Sequence, residues 1–501
     1  MDANRQSDAQ SSRLISGLAL MLTTVMVIMD MTIVNVTLPH MMGALGATAD
    51  QVTWVLTGYI VSEAVTIPLT GYLAGRFGRR RVLLFGIGGF VLASALCGQS
   101  TSLAEIVGFR LLQGIAGAPL IPLSQAVLVD AFAAEERGKA MAIWGIGIML
   151  GPVLGPTVGG FVTEHLNWRW VFYINLPIGL INLMLVARVI QETPRRVVGT
   201  DLLGAILMVI GIGSLQTLLD RGNQEGWWQS GFIDLLSLAA VMGIGLFILR
   251  SLSVEQPIVD LRLFRDRNLA VASGMMLVFG LGLFGTIAIQ PIMLERLFGY
   301  PVETTGLVMA PRALGSALSM ALMAKLTSRV DHRWLVGSGM LLAALGTSLM
   351  ARYNLDASPA WMIWPGVVQG LGMGAVFVPL SSMAYTTLRR EQADAGAGLF
   401  NLARTIGSAV GVSIAATEYT RYTQIDWHQL GSHIQPFNPA LHNWLAAQGL
   451  TLNHPMAVSR LAQTLSEQAS MLAFTQVFEL IAMSFLLMAP LLLLLRSSHK
   501  H

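Results

Sequence analysis

The chain has 501 residues, of which 54% are hydrophobic and only 12% are charged, and its formal net charge is +3. A soluble domain carries about 25% charged residues, so this composition excludes an ordinary water-soluble protein, and the small basic excess is better explained by membrane topology than by nucleic-acid binding. A single cysteine, Cys97, excludes a disulfide framework within the chain.

Long apolar runs follow one another along the whole chain. Crossing a hydrocarbon core of about 30 Å takes about 20 helical residues, so each run predicts one membrane-spanning helix. We number these helices as spans 1 to 14 in chain order and predict an all-α integral membrane protein. The runs lie at 14–38, 51–74, 82–99, 104–130, 140–163, 170–188, 202–219, 232–250, 269–294, 304–325, 334–351, 361–387, 397–418 and 471–495.

Positive charges are unevenly distributed over the connections between the spans. Alternate connections hold most of the Lys and Arg residues, such as the run 79–81 between spans 2 and 3. Because such residues favour the cytoplasmic side, both termini are predicted to be cytoplasmic. This places the tails 1–13 and 496–501 in the cytoplasm and the long polar loop 419–470 in the periplasm.

The sequence also repeats itself. The stretches that begin at Gln113 and Gln369 both start with Gln-Gly, pass through Pro-Leu-Ser and end in a charged loop. We therefore predict two related six-helix halves, 14–188 and 269–495, with two additional central helices and their linkers in 189–268. Repeated halves around a site at the membrane midplane are a transporter architecture.

Ionisable side chains inside the spans mark candidate functional positions, because each costs about 2.5–3.5 kcal/mol in lipid even on the mildest scales. At 1.5 Å per residue, Asp30 in span 1 and Arg110 in span 4 lie at matching depths, and we expect them to form a pair that takes part in proton coupling. Counting back three residues from Gln369 reaches Gly366, so the repeat lacks an equivalent arginine, which favours a specific task for Arg110. A static structural ion pair is the alternative.

Three further kinds of polar residue occur inside the spans. Glu63, near the midplane of span 2, has no obvious partner, and a lone carboxyl in lipid favours its neutral form. Glu63 is therefore a second candidate for proton coupling, or a site for a cationic substrate. The alternative is that Glu63 faces a wet cavity and has no role. Arg404 is expected to snorkel towards the cytoplasm or to cap a neighbouring helix. The amides that are candidates for a substrate cavity are Asn35, Gln113, Gln125, Gln290, Gln369 and Asn401.

Span 5 carries glycines at every fourth position from Gly147 to Gly159. Such a stripe clears one helix face for close helix contact, and we expect it to line the moving interface between the halves, although ordinary packing is the alternative. The residues assigned to this conformational motif are Gly151, Pro152, Gly155 and Pro156, where the two prolines are expected to bend the helix.

No motif predicts an enzyme, a metal site or a bound cofactor. The letters of a dinucleotide fingerprint at 280–285 lie inside an apolar span rather than at a strand-to-helix turn. Gly138-Lys139 lacks the Ser or Thr of a phosphate loop, and the nine histidines show no metal-ligand spacing. The missing phosphate loop argues against an ATPase.

Several motifs resemble those of the major facilitator superfamily. The stretch 71–80 resembles its signature loop between spans 2 and 3, with Gly71, Gly78 and Arg79 at motif positions, and Gly75 stands where the motif usually has an acid. We expect Asp130, at the end of span 4, to hold the loop arginines instead. The stretch 110–114 resembles the fourth-span motif of the superfamily, and 147–160 resembles its antiporter motif in span 5. The stretches 29–39 and 168–179 resemble the fourteen-span drug:proton antiporters. The EmrB-type branch of that family is resembled by 119–125, 211–216 with 219–222, and 257–261.

The resemblance implies a proton-driven exporter of small hydrophobic or amphiphilic compounds in the bacterial inner membrane. It also implies an EmrA-type periplasmic adaptor and a TolC-type outer-membrane channel as partners. A dedicated exporter of one metabolite or fatty acid is the alternative within transport. From other classes, a membrane sensor would need an appended soluble domain and an intramembrane enzyme a clustered nucleophile and base, and neither is visible in the sequence.

Overall fold

The computed structural model describes residues 2–132, 137–195, 199, 201–451 and 455–495, and these residues form helices without any β-strand. Thirteen helices are long and apolar enough to cross a membrane. Another crossing combines two shorter helices, because Pro68 lies in a 3-10 turn at Ile67–Leu69 that interrupts the α-helical hydrogen bonding. The prediction of an all-α membrane protein with about fourteen spans is confirmed, and the predicted tail 496–501 lies outside the described residues.

The observed helices replace the predicted runs as spans 1 to 14. Side-chain oxygens of Ser102, Asp266 and Ser358 cap the first turns of spans 4, 9 and 12. In chain order the spans are Asp2–Leu45; Trp54–Thr66 with Thr70–Phe77; Arg79–Gln99; Leu103–Gly117 with Leu120–Ala131; Arg137–His165; Trp170–Tyr173 with Asn175–Val189; Leu202–Arg221; Gly231–Ser253; Arg267–Arg296; Val302–Leu326; His332–Met350; Pro359–Ala384; Ala393–Ser432; and Pro455–Leu487, followed by a 3-10 turn at Ala489–Leu494.

Spans 1–6 and spans 9–14, called here the first and second halves, have the same pattern of neighbours. Span 1 packs on span 5, span 2 on span 4, and span 3 on spans 4 and 6. In the second half, span 9 packs on span 13, span 10 on span 12, and span 11 on spans 12 and 14. The repeat seen in the sequence therefore corresponds to a repeated arrangement of helices.

Two seams join the halves. Span 5 packs on spans 10 and 12, and span 13 packs on spans 2 and 4. Span 7 lies against spans 2 and 13, and span 8 packs on span 7. Gly211 and Gly243 let spans 7 and 8 approach closely, because a Cβ on Gly211 would lie 2.6 Å from the backbone N of Ile244. The two central helices thus lie beside one seam rather than within either half.

Spans 13 and 14 continue well beyond the membrane. Span 13 has 40 residues, which is about 60 Å of helix, roughly twice the thickness of a hydrocarbon core. The ring of Tyr419 stacks on Phe474 with centroids 4.3 Å apart, and Gln476 Nε2 donates to Asp426 Oδ2 at 3.1 Å. A short helix, Pro439–Ala447, packs at the tip. The segment 419–470, predicted as a polar loop, is therefore mostly a helical extension.

Candidate functional site

Asp30 lies at the centre of a buried polar cluster in the first half. Arg110 Nη1 donates to Asp30 Oδ2 at 2.5 Å, and Gln113 Nε2 and Asn175 Nδ2 donate to Asp30 Oδ1 at 3.0 and 2.6 Å. All four residues are 0% exposed. The contact between Asp30 and Arg110 that their matching depths predicted is present, and three donors stabilise the carboxylate.

Arg110 is held from several sides. Its Nε donates to the backbone oxygen of Val55 at 3.1 Å, and its Nη1 also donates to Gln113 Oε1 at 2.8 Å. The guanidinium carbon lies 4.2 Å from the centroid of the Tyr59 ring, a cation–π distance. The charge of Arg110 is therefore fixed beside Asp30, and neutralising that carboxylate would leave a cation in a site that excludes water.

Asn175 was not identified from the sequence as a site residue. Its Nδ2 also donates to Ser94 Oγ at 3.0 Å, and Ser94 Oγ donates to the backbone oxygen of Phe172 at 2.9 Å. This chain of hydrogen bonds links spans 3 and 6 to Asp30. The feature of the sequence that could have identified Asn175 is an amide side chain inside an apolar run, within the stretch 168–179.

The second half contains a related cluster around Arg312. Arg312 Nη1 donates to Gln290 Oε1 at 3.2 Å and to Gln369 Oε1 at 3.4 Å. Gln369 Nε2 in turn donates to Thr286 Oγ1 and Thr347 Oγ1 at 3.0 and 2.9 Å. The expectation that only the first half carries such an arginine is wrong. Arg312 of span 10 lies beside Gly366, and a Cβ added to that glycine would be 3.7 Å from Arg312 Cβ.

A third polar group crosses the seam between spans 4 and 13. Asn401 Nδ2 donates to Gln125 Oε1 at 2.6 Å, and Arg404 Nε donates to Asn401 Oδ1 at 3.4 Å. Arg404 is only 6% exposed, so the expectation that it snorkels is wrong; its charge faces the protein interior. Glu63 is 5% exposed and makes no hydrogen bond or ion pair with any described residue.

Asn35 differs from the other candidate amides. It is exposed and has no hydrogen-bonded partner among the described residues. The other five are buried and hydrogen-bonded within the three groups described above. The structure therefore brings together Gln113 with Asp30, Gln290 with Gln369, and Gln125 with Asn401, and leaves Asn35 outside these groups.

The loop motif closes one end of the molecule. Arg79 Nη1 lies 2.5 Å from Asp130 Oδ2 and its Nε lies 2.7 Å from Asp394 Oδ1. Asp130 belongs to the first half and Asp394 to span 13 of the second half, so Arg79 joins the halves. A Cβ on Gly71 would lie 2.7 Å from Ala395 Cα, which shows how closely the two backbones approach. The predicted contact between Asp130 and the loop arginines is present.

Glu192 and Thr193 also support this loop, and neither was identified from the sequence. Gly78 has a φ of +91°, which L side chains rarely adopt, and it separates the helices on either side of it. The following backbone N–H groups of Arg79 and Arg80 donate to Thr193 Oγ1 and Glu192 Oε1 at 3.1 and 3.2 Å. Glu192 and Thr193 follow span 6, so only the packing of span 6 on span 3 brings them to the motif.

The glycine stripe of span 5 packs within the first half. A Cβ on Gly151 would lie 2.5 Å from Ile28 Cγ2, and one on Gly159 would lie 2.7 Å from Ile33 Cγ1. Ile28 and Ile33 belong to span 1, so the expectation that the stripe lines the moving interface is wrong. Pro152, on another face of span 5, reaches the seam between the halves. Span 5 remains one α-helix through Pro152 and Pro156.

We expect Gly155→Ala to destabilise the protein. The added Cβ would lie 2.8 Å from Thr32 Cβ and 3.0 Å from the backbone N of Ile33, and overpacking of this kind costs about 1–3 kcal/mol. The measurement is the melting temperature of the purified protein in detergent. Gly108→Ala is the matched control, because nothing lies within 4 Å of its added Cβ; equal melting temperatures for the two variants would contradict the close packing of spans 1 and 5.

Comparisons with known proteins agree with this architecture. Residues 20–412 match the family described as Major Facilitator Superfamily. The chain is 33% identical to the fatty acid resistance protein FarB of Neisseria gonorrhoeae over 479 residues, covering 95% of this chain and 94% of that protein. It is also 33% identical to the multidrug export protein EmrB of Escherichia coli K12 over 486 residues, with the same coverage.

A solved structure shows the same fold at low sequence identity. The crystal structure of the human organic anion transporter MFSD10 (TETRAN) superimposes with a TM-score of 0.63 and is 16% identical. The match covers 96% of this chain and 99% of that protein. At this identity the likeness concerns the fold alone.

Proposed function

Because the chain belongs to the Major Facilitator Superfamily, we propose that it is a proton-coupled antiporter that exports hydrophobic drugs and other toxic compounds across the bacterial inner membrane. The chain is a multi-pass membrane transporter, and relatives at 33% identity include a multidrug export protein. Proton coupling, the inner membrane and cytoplasmic termini are part of the proposal. The observation that carries it is the buried cluster of Asp30 and Arg110.

The cluster suits proton exchange because its two charges cancel only while Asp30 is ionised. A proton that reaches Asp30 forms an O–H bond on one carboxylate oxygen and leaves the Arg110 cation without its counter-charge. A buried cation without a partner is costly, so protonation favours any rearrangement that gives Arg110 water or another anion. Loss of the proton on the opposite side restores the pair. In this way proton binding drives the change of access.

Two contacts across the seams indicate which conformational state of the transporter the structure represents. Arg79 and Asp394 form an ion pair across the halves, and Gln125 accepts a hydrogen bond from Asn401. Under the proposed topology these contacts close the cytoplasmic end. Opening towards the cytoplasm must therefore break both contacts, and substrate enters only after they separate.

Growth of a bacterium that lacks its own efflux pumps tests the proposed function. Expression of this chain should raise resistance to several hydrophobic drugs and dyes, and dye export should stop when the proton gradient is dissipated. Resistance to a single compound class would favour the alternative of a dedicated exporter, for which the similarity to FarB is the specific support. Export that continues without a proton gradient would contradict proton coupling.

We also propose that the helical extension formed by residues 419–470 binds a periplasmic adaptor of the EmrA type, which connects the transporter to a TolC-type outer-membrane channel. The extension projects past the membrane and carries its own small apolar core of Leu441, Leu445 and Ala457. The similarity to EmrB over 94% of that protein supports this part of the proposal.

Replacing residues 430–468 by a short Gly-Ser turn tests the adaptor proposal. The change keeps the contacts between Tyr419 and Phe474 and between Asp426 and Gln476, so we expect normal insertion. Resistance in whole cells should be lost, whereas transport by the purified variant in proteoliposomes should stay at the wild-type rate. Full cellular resistance, or equal loss in both assays, would contradict a role of the extension in partner binding.

A further inference from the structure

The two halves hold related polar clusters whose charges differ. In the first half, the first helix supplies Asp30 and the fourth supplies Arg110 and Gln113. In the second half, the first helix supplies Gln290, the fourth supplies Gln369 and the arginine comes from span 10. The negative charge of the carboxylate and the positive charge of the guanidinium cancel in the first cluster, whereas the arginine of the second cluster has only neutral partners. One buried positive charge therefore remains without a counter-charge in this second cluster.

Arg312 has few and long hydrogen bonds for a buried arginine. It is 7% exposed, and its two bonds, at 3.2 and 3.4 Å, both come from Nη1 and both end on neutral amide oxygens. Bonds from a guanidinium to a carboxylate are shorter, about 2.7–2.9 Å. Among the described residues, no carboxylate lies within 4 Å of Arg312 and no group accepts a hydrogen bond from its Nε or Nη2. These donors are available for a ligand.

Arg312 also lines a small cavity of about 20 Å³ at the seam between the halves. Met149 and Pro152 of the first half form one side, and Leu283 and Ile287 of the second half form another. The cavity has room for about one water molecule, far less than a drug-sized ligand needs. Apart from Arg312 and Ser316, the lining is apolar. Because the proposed alternating access separates the seam, we expect this site to enlarge as the halves move apart.

We propose that Arg312, positioned by Gln290 and Gln369, binds the carboxylate of an acidic substrate whose remaining part is apolar. The inference rests on the proposed export function and adds the chemical class of one group of substrates. The planar guanidinium fork matches a carboxylate with two parallel hydrogen bonds, and the apolar side chains around it suit a hydrocarbon tail. Arg110 cannot bind the carboxylate of a substrate while it is paired with Asp30.

The test compares ligands that share a tail and differ in charge. Binding of dodecanoate and of dodecyltrimethylammonium is measured by titration of the purified full-length protein in a neutral detergent. Arg312→Gln should weaken dodecanoate binding by about tenfold or more and change binding of the cation by less than about threefold. Arg329→Gln, at an exposed arginine, is the matched control and should change neither. Equal effects of Arg312→Gln on both ligands, or none, would overturn the proposal.

A second variant keeps the test decisive if Arg312→Gln does not fold. Gln290→Glu places a carboxylate of nearly the same shape within reach of Arg312, so the site receives an internal anion. It should abolish dodecanoate binding while raising the melting temperature, and unchanged dodecanoate affinity in a folded Gln290→Glu protein would refute the assignment.

Lipid phosphate is the other source of a suitable anion. The titration is repeated in vesicles of phosphatidylcholine with and without phosphatidylglycerol. Competition by phosphatidylglycerol that depends on Arg312 would assign the site to a lipid head group and overturn the substrate claim. Failure of the export function itself would be recognised separately, because wild-type proteoliposomes would then transport neither ligand.

Discussion

Asp30→Asn should abolish export driven by a proton gradient while leaving substrate binding measurable. The substitution keeps the size of the side chain and can still hydrogen-bond Gln113 and Asn175, but it removes the group that exchanges protons. It also leaves Arg110 without its counter-charge, which costs about 3–5 kcal/mol of stability when one partner of a buried pair is removed. The measurement is accumulation of substrate in inverted membrane vesicles on imposing a proton gradient, together with the binding affinity of the purified protein.

Two further variants separate coupling from folding. Asp426→Asn makes the same change at a buried acid of the helical extension, where Gln476 is its partner, and should retain gradient-driven export. The double variant Asp30→Asn with Arg110→Gln removes both charges, so it should recover stability relative to Asp30→Asn but not export. Recovery of export by the double variant would show that the pair is structural.

Arg79→Ala should reduce export strongly by weakening the closed end that the proposed topology places on the cytoplasmic side. Arg79 is 9% exposed and joins Asp130 to Asp394 across the seam, and about 3 kcal/mol removed from the closed state lowers its population relative to the open state by roughly 100-fold. The measurement is the export rate in proteoliposomes together with hydrogen exchange of the backbone at 393–401, which should become faster.

The same loop offers a matched control. Arg81 is half-exposed at the side chain and its Nε lies 3.6 Å from Glu192 Oε2, and such a surface pair contributes about 0–1 kcal/mol. Arg81→Ala should therefore change export little. Equal losses in both variants would show that the loop contributes overall charge rather than a specific contact between the halves.

Part of the site follows from the sequence because depth in a membrane can be counted. A helix rises 1.5 Å per residue, and a charge in lipid needs a partner, so Asp30 and Arg110 could be matched without a structure. Asn175 and Ser94 could not, because their role depends on how spans 3 and 6 are rotated towards span 1. Asp394 is separated from Arg79 by most of the chain, and only the packing of the halves brings them together.

The incorrect expectations have the same origin. The stripe that includes Gly151 and Gly155 shows that one helix face is clear, but not which helix fills it, and span 1 does so. The sequence repeat aligns Gly366 with Arg110, whereas Arg312 reaches the side of Gly366 from span 10. The depth of Arg404 does not give the direction of its side chain, which depends on the face that span 13 turns towards span 4.

Hydropathy predicted the membrane-spanning parts of the fold well, and it says little about helices outside lipid. For that reason the sequence predicts that span 13 ends near residue 418 and that span 14 begins near residue 471, both at the membrane surface. The extension beyond them is held by internal contacts such as Tyr419 with Phe474. Its helical structure depends on those contacts rather than on the bilayer.

Proton movement caused by substrate tests most directly whether Asp30 couples proton entry to export. Purified protein is reconstituted in vesicles with a trapped pH-sensitive dye, and substrate is added in the absence of any imposed gradient. We expect substrate-dependent proton movement in the wild-type protein and none in a folded Asp30→Asn protein that still binds substrate. Wild-type proton movement in that variant would contradict the assignment of Asp30 as the coupling residue.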